Sequence, residues 1–230
     1  MTRVVVPVAV LEGEAVSYGL MNLLGTMDVT VLGYHVLPEQ TPPDQARHQY
    51  EDRANAALAD IAEEFREAGG AADYRLVFTA DRPKTVRRVA DEVDARAYAI
   101  TGATGSVDRL LVSLSGDVAA DRILEFVIDL VGDREIDVTL LRVAGDEGGT
   151  PLEEARSRLA DAGIDARTVL AEETGPLDAL LAAVPDHDAI VMGEQAPSLQ
   201  SFLFGDVTDR VAAESVGPVL VVRRPRSERE

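Results

Sequence analysis

Apolar runs and amphipathic stretches alternate along the whole chain, and this alternation predicts a series of strands and helices. Short runs of consecutive apolar residues, such as Val4–Val10, are typical of strands buried on both faces of a parallel sheet. Between the runs lie longer stretches such as Gln45–Ala68, where apolar residues recur on one helical face. The pattern therefore predicts an α/β fold in which helices connect parallel strands.

The predicted elements have the same order in the two parts of the chain. The strands predicted in the first part are Val4–Val10, Asp28–Val36, Tyr74–Thr79 and Ala97–Thr101. The helices predicted in the first part are Glu14–Leu24, Gln45–Ala68 and Lys84–Asp94. The strands predicted in the second part are Arg109–Leu114, Asp137–Val143, Ala166–Leu170, Ala189–Gly193 and Val219–Val222. The helices predicted in the second part are Ala119–Val131, Pro151–Ala162, Leu177–Val184 and Val207–Ser215.

Two pairs of segments indicate an internal duplication. Asp28-Val-Thr-Val-Leu32 is nearly identical to Asp137-Val-Thr-Leu-Leu141, and Tyr98–Gly102 matches Ala189–Gly193. A repeated supersecondary unit of this size is typical of tandem copies. We therefore predict two tandem doubly wound parallel sheets. A truncated first copy spans residues 1–105, and a complete second copy spans residues 106–230.

A second division of the chain is also consistent with the pattern. Gly116-Asp-Val118 resembles Gly205-Asp-Val207, so residues 105–124 could form a glycine loop and a last helix that belong to the first copy. The repeated Asp-Val-Thr segment favours a restart near Ser106, because it makes Asp137 the start of the second strand of a new copy.

Composition narrows the class of protein. The chain has 41 acidic and 22 basic residues, a net charge of −19, and Lys84 is its one lysine. Nucleic acids and anionic membranes repel such a surface, so we expect neither as a partner. Dispersed acidic residues favour adaptation to a salty cytoplasm of a halophile over an acidic partner-binding face. A GC-rich genome could also exchange lysine for arginine.

The absence of cysteine excludes disulfides and thiolate chemistry. The apolar runs are too short to span a bilayer. The start of the chain leads directly into a strand, so we expect no signal peptide and a cytoplasmic location. We expect no metal, because the histidines are scattered, and we expect the acidic segment Glu12–Glu14 to be a solvated loop.

The end of the chain carries the most specific motif. A strand ends at Gly193, a loop with Phe204-Gly-Asp206 leads to a helix with Arg210-Val-Ala212, and Gly217-Pro-Val-Leu-Val-Val-Arg223 forms a last strand. In order and spacing, these segments resemble the C-terminal signature of the universal stress protein family. The resemblance extends over essentially the whole chain, through Arg3–Pro7 and the ending His35-Val36 in the first copy.

The resemblance implies a five-stranded parallel sheet in each complete unit. It also implies a nucleotide site, because many members carry a loop of the form G-x2-G-x9-G-(S/T), in which glycines admit phosphates at a helix N-terminus. The positions that match this site in the second copy are Ser115, Val143, Gly193, Gly205 and Asp206.

The loop in this chain departs from the family pattern. Ala196 replaces the second glycine, the spacing to Gly205 is one residue short, and Asp206 places a carboxylate where a phosphate would lie. In the first copy Ala9 stands where the aspartate at the end of strand one is expected. We therefore expect no bound cofactor, with ATP as the alternative ligand.

The sequence leaves three functional hypotheses. The first is a non-enzymatic regulatory or scaffolding protein that acts through an unknown protein partner. The second is a switch that binds ATP in the second copy, and the third is a soluble regulator of a membrane transporter. The last strand, Val219–Arg223, is expected either to join two chains in a homodimer or to cover the open edge of the first copy, because a bare apolar edge invites aggregation.

Overall fold

A single nine-stranded sheet forms the centre of the protein in a computed structural model, with strand order β3-β2-β1-β4-β9-β8-β5-β6-β7. The structure describes residues 1–37, 43–114, 118–143, 150–172, 176–194 and 217–224, without the side chains of 43–48 and 176–177. The strands are β1 (Arg3–Val8), β2 (Asp28–Val36), β3 (Ala71–Thr79), β4 (Ala97–Ile100), β5 (Arg109–Ser113), β6 (Asp137–Val143), β7 (Ala166–Ala171), β8 (Ala189–Gly193) and β9 (Val219–Val222). The helices are α1 (Tyr18–Leu23), α2 (Pro43–Glu67), α3 (Arg82–Glu92), α4 (Ala120–Val131), α5 (Leu152–Asp161) and α6 (Pro176–Ala183). Short 3-10 turns lie at Val10–Glu12 and Val184–Asp186.

The strands pair in the same way in the first half (residues 1–105) and in the second half (residues 106–230). Strand β1 lies parallel to β2 and β4, and β2 lies parallel to β3. Likewise, β5 lies parallel to β6 and β8, and β6 lies parallel to β7. The predicted α/β class with parallel strands is therefore confirmed. The division between residues 105 and 106 falls in the connection from β4 to β5, and the duplication itself stays a prediction.

Strand β9 joins the two halves into one sheet. It runs parallel to β8, with Ile190 opposite Val219, and antiparallel to β4, with Ala97 opposite Val222. The two sheets predicted from the sequence are thus one continuous sheet. The last strand covers the open edge of the first half, which is one of the two alternatives predicted from the sequence. The other expectation, a homodimer through Val219–Arg223, finds no free edge on this strand, because both of its edges are paired within the chain.

Apolar side chains alternate between the two faces of the sheet, as buried parallel strands require. Val4, Val6 and Val8 pack on one face, together with the buried residues of α1, α2, α4 and α5. Val5 packs on the other face with residues of α3 and α6. Each half therefore places its first two helices on one face and its third helix on the other.

A buried arginine fastens the end of β9 to the first half. The side chain of Arg223 is 1% exposed. Its guanidinium donates to Asp91 Oδ1 in α3 at 2.5 Å and to the carbonyl oxygen of Ala95 at 3.1 Å. Its backbone carbonyl accepts a hydrogen bond from Arg122 Nε in α4 at 2.6 Å. Arg223 therefore connects both halves at the point where β9 ends.

A second arginine links the halves on the other face. Arg134 follows α4, and its guanidinium donates to the carbonyl oxygens of Leu130 and Val131 at the end of that helix and to the carbonyl of Asn22 in α1 at 2.7 Å. Burial lowers the pKa of Arg134, but these carbonyls suit a cation at a helix C-terminus. In the described part of the chain, no helix has the length and apolar character needed to cross a membrane.

Candidate functional site at the carboxyl ends of the strands

The topology creates two equivalent crevices at the carboxyl edge of the sheet. In a doubly wound sheet, ligands bind where two neighbouring strands send their connections to opposite sides. In the first half this point lies between β1 and β4, and in the second half it lies between β5 and β8. The two crevices are therefore the positions at which a small ligand is expected.

The crevice of the first half contains a carboxylate of the chain itself. Glu14 Oε2 accepts a hydrogen bond from the backbone N–H of Ala9 at 2.5 Å, directly after β1. Its Oε1 accepts a hydrogen bond from the hydroxyl of Thr101, directly after β4. The half-buried side chain of Glu14 thus bridges the ends of the two strands that form the crevice. An anionic group already lies where an incoming anion would bind.

The loop after β4 covers the start of helix α1, which faces this crevice. The amide of Gly19, in the first turn of α1, donates to the carbonyl oxygen of Thr104 at 3.4 Å. A Cβ atom at Gly19 would lie 2.6 Å from Thr104 Cγ2 and 3.2 Å from the carbonyl oxygen of Thr104, so a larger residue would require Thr104 to shift. The loop after β4 therefore packs against the start of α1, which is the end of a helix that would otherwise attract an anion.

The expectation that Glu12–Glu14 forms a solvated loop was wrong for Glu14. Glu12 is exposed, but Glu14 turns towards the strand ends. The apolar spacing predicts that α1 begins at Glu14, but the helix begins at Tyr18. The inward turn of Glu14 explains this difference. The missed signal is the combination of Ala9, in the position of an expected acid, with an acid five residues later.

The crevice of the second half is described in part. Val143 and Gly193 end β6 and β8, the two strands on either side of β5, so the structure brings both to the same edge. Val143 is buried at the end of its strand, opposite Ala171 of β7. The other candidates, Ser115, Gly205 and Asp206, lie outside the described residues, as does the predicted helix Val207–Ser215.

Gly193 has a packing role in the structure. A Cβ atom at this position would lie 2.8 Å from Val118 Cβ and 2.9 Å from Val118 Cγ2. Such distances are too short for real side chains, so the glycine allows the segment before α4 to lie against β8. The next residue, Glu194, is buried and accepts a hydrogen bond from the amide of Arg224 at 3.2 Å. Its carboxylate therefore bonds to the chain after β9.

The histidine and acids before β8 have structural partners. One ring nitrogen of His187 bonds to the carbonyl oxygen of Ala183 at 2.7 Å, and the other bonds to the hydroxyl of Thr139 at 2.9 Å. Asp188 Oδ2 accepts from the amides of Asp108 and Arg109, and Asp188 Oδ1 accepts from the Arg109 guanidinium at 3.0 Å. The contacts of Asp188 hold the start of β8 to the start of β5, and those of His187 join this segment to the end of α6 and to β6.

Charge also distinguishes Asp188. Burial alone would raise the pKa of its carboxyl group, but the hydrogen bonds from the Arg109 side chain and from the amides of Asp108 and Arg109 outweigh burial and lower the pKa. The same contact raises the pKa of Arg109. Asp188 is therefore an ionised structural residue and lacks the raised pKa that a general acid would need.

The amino edge of the sheet is acidic as well. A groove of about 600 Å³ lies at the starts of β5, β6 and β7, and its lining includes Asp108, Asp133, Glu135, Asp137 and Asp165. Arg134 is the basic residue among them. This acidic lining repels anions such as phosphates. Among the residues that the structure describes, no group of three or more histidine or acidic side chains is arranged to hold a metal ion.

Known proteins resemble part of this chain in sequence and nearly all of it in fold. The model of the universal stress protein family matches residues 151–223, from the start of α5 to the end of β9. No curated protein sequence matches the chain. A universal stress protein from Archaeoglobus fulgidus DSM 4304 superposes with a TM-score of 0.62 at 18% identity, covering 97% of this chain and 98% of that one.

Shorter proteins match parts of the chain. A universal stress family protein from Burkholderia pseudomallei matches with a TM-score of 0.36 at 21% identity, over 50% of this chain and 96% of its own. A universal stress protein from Archaeoglobus fulgidus in complex with dAMP matches with a TM-score of 0.36 at 20% identity, over 50% of this chain and 96% of its own. The likeness over the full length shows that this chain has the universal stress protein fold.

Proposed function

We propose that this chain is a non-enzymatic regulatory or scaffolding protein of the universal stress type, whose first half binds no nucleotide. The family match to residues 151–223 and the shared fold support the family. One observation carries the statement about the first half. Glu14 bonds to Ala9 and Thr101 at the strand ends, so a carboxylate of the chain takes the place of a ligand anion.

Electrostatics make this arrangement unfavourable for phosphates. A phosphate entering the crevice would have to displace Glu14 from its two donors or lie close to its charge. Two like charges about 4 Å apart repel by about 4 kcal/mol at an effective dielectric constant of 20. The Glu14 contacts in the crevice of the first half therefore stabilise the fold. Protein partners would then bind to the outer surface of the molecule.

The test is calorimetric titration of the wild-type protein and of two variants with ATP and Mg²⁺, in buffer with about 1 M KCl, where the Debye length is roughly 3 Å. Glu14→Ala removes the carboxylate and leaves the Ala9 amide and the Thr101 hydroxyl available to an anion. Glu12→Ala is the matched control, because Glu12 lies in the same turn and is exposed.

We expect no heat from the wild-type protein or from Glu12→Ala, and weak binding of ATP or inorganic phosphate by Glu14→Ala. Two nucleotides bound to each wild-type chain would contradict the proposal, because both crevices would then accept ligand despite Glu14. Turnover of ATP by the wild-type protein would contradict the non-enzymatic assignment.

A second candidate function is a nucleotide-dependent switch in the second half. The family match includes the candidate loop from Gly193 to Asp206, and this observation favours the hypothesis. The switch hypothesis requires that each wild-type chain binds one nucleotide, in the second half. Glu14→Ala should not change the affinity of that site.

The variant Asp206→Ser tests the loop directly. It restores the residue type of the nucleotide-binding pattern and removes one negative charge from the expected phosphate position. If the second half binds ATP, we expect this variant to bind it more tightly, by on the order of tenfold for about 1.4 kcal/mol of relieved repulsion. Unchanged absence of binding would support the scaffolding function.

A further inference from the structure

The two ends of the sheet are formed by β3 and β7. Strand β3 is nine residues long and pairs with β2 along its whole length. The amide of Leu37, after β2, donates to the carbonyl of Thr79, so the backbone groups of alternate residues from Thr79 backwards face β2. The backbone groups of Tyr74, Leu76 and Phe78 consequently point away from the sheet.

Arg66 provides independent support for this direction. Its guanidinium, at the end of α2, donates to the carbonyl oxygen of Ala72 at 2.8 Å. Ala72 is in phase with Tyr74, so its carbonyl also points away from β2. In the part of the chain that the structure describes, no strand lies beyond β3, so its edge from Tyr74 onwards can accept another strand. Exposed edges of this kind pair with other chains unless they are protected.

The side chains along this edge are complementary to themselves. Asp73, Tyr74 and Arg75 are consecutive and exposed. Two copies related by a two-fold axis through Tyr74 would place Tyr74 opposite the partner's Tyr74 and Asp73 opposite the partner's Arg75. The two-fold symmetry repeats the contact between Asp73 and the partner's Arg75, so this register forms two ion pairs.

The faces of the strand are consistent with this register. Asp73 lies 3.7 Å from Arg3, and Arg75 lies 3.1 Å from Glu92 of α3, so both charges lie on the α3 face. The side chains of Asp73 and Arg75 are 56% and 43% exposed, so both can accept a further partner. Tyr74 projects to the opposite face and is 39% exposed.

The other end of the sheet lacks an equivalent register. Strand β7 has the similar triplet Asp165-Ala166-Arg167, but Ala166 is the first residue of the strand. A register centred on Ala166 would place the partner strand against the turn at Ala162–Ile164 and the end of α5. Around Tyr74, by contrast, the register Ala71–Val77 lies entirely inside β3.

We propose that two copies of this chain pair through β3 in an antiparallel arrangement centred on Tyr74. The backbone groups of Tyr74 bond to those of the partner's Tyr74, and the Asp73–Arg75 pairs flank this contact on the α3 face. This replaces β9, whose edges are both occupied, as the strand that joins two chains. The proposal does not depend on whether either crevice binds a nucleotide.

A single cysteine tests the register, because the chain has none of its own. Directly opposite residues of a hydrogen-bonded antiparallel pair have Cα atoms about 5.5 Å apart, which suits a disulfide. Tyr74→Cys should therefore form a covalent dimer under mild oxidation. The control is Leu170→Cys in β7, which is 52% exposed and should stay monomeric. A monomeric Tyr74→Cys, or equal dimer from both variants, would overturn the proposal.

Charge reversal tests the contacts that set the register. Asp73→Arg and Arg75→Asp each create two like-charged pairs, and each should weaken the dimer by on the order of tenfold or more in sedimentation velocity. The double variant with both substitutions restores opposite charges and should recover the dimer. A wild-type monomer, single variants that dimerise normally, or a double variant that does not recover would show that Asp73 and Arg75 protect the edge and do not pair it.

Discussion

Strands β4 and β8 occupy the same position in their halves, but they acquire their outer neighbour in different ways. The chain after β8 returns as β9 and lies parallel to it, which completes the second half. The chain after β4 continues to β5 and begins the second half, so the described first half has four strands and β4 has no outer neighbour from its own half. Its edge is covered by the same β9, in antiparallel pairing.

This difference shows how one four-residue strand can complete both halves of a single sheet. The first half ends in an apolar edge that invites aggregation, and the second half supplies the cover. The halves are therefore unequal partners: the second half contains a complete set of strands, while the first half depends on the second. Substitutions at the contacts of β9 should affect both halves, and substitutions within one half should have smaller effects.

The largest effect is expected from Asp91→Ala. Asp91 in α3 is the carboxylate partner of the buried Arg223 guanidinium at the end of β9. Removal of one partner leaves a buried charge with less compensation, so we expect the free energy of unfolding to fall by about 2–3 kcal/mol. Urea denaturation measures this loss. The control is Arg87→Ala, exposed on the same helix, and an equal small loss in both variants would contradict the role of Arg223.

A smaller effect is expected from Asp188→Asn, which acts within the second half only. The variant weakens the hydrogen bonds that join β8 to β5, and we expect a loss of about 1–2 kcal/mol near pH 7. Because the pKa of Asp188 is lowered in the folded protein, its stabilisation is complete above the ordinary pKa of about 4 and disappears as the pH falls through the folded-state pKa.

Denaturation of wild type and Asp188→Asn at several pH values tests this sign. The difference in stability should be constant from neutral pH down to about pH 5 and should shrink below about pH 4. Asp186→Asn, which removes an exposed acid two residues away, is the control for the loss of a carboxylate. A difference that grows as the pH falls would contradict the assignment.

The smallest effect is expected from Glu125→Gln. Glu125 in α4 bonds to Arg96 of the first half and to Arg158 of α5, and the hydrogen bond from Arg96 lowers its pKa. Its side chain is about half exposed, so we expect a loss of about 0.5 kcal/mol, which 1 M KCl should reduce further. A loss as large as that of Asp91→Ala would mean that surface charges, and not β9, hold the halves together.

Much of the fold could be predicted from the sequence because its strands are short apolar runs. The runs at Asp28–Val36, Asp137–Val143 and Ala189–Gly193 have the bounds that the pattern predicts. Such strands must be buried on both faces, and the repeated order of elements limits how they can be arranged. Helix α1 is shorter than predicted, because Glu14 bonds to the strand ends and does not enter the helix.

The partners of β9 and Glu14 could not be predicted with the same ease. Pairing of β9 with β4 depends on an edge far away in the sequence, so the sequence leaves open whether the last strand covers that edge or joins two chains. Glu14 resembles an ordinary loop acid, and Arg223 resembles a polar end to a strand. Only the three-dimensional arrangement shows that both have partners from distant segments.

Native-state hydrogen exchange tests the shared strand most directly. Amides of β4, β8 and β9 would be followed by mass spectrometry in increasing urea concentrations below the unfolding transition. If β9 completes both halves, β4 and β8 should open with the same free energy and the same urea dependence, because the loss of β9 exposes both. If the amides of β4 exchange on the order of a hundredfold faster than those of β8, a difference of about 2.7 kcal/mol, β9 belongs to the second half alone.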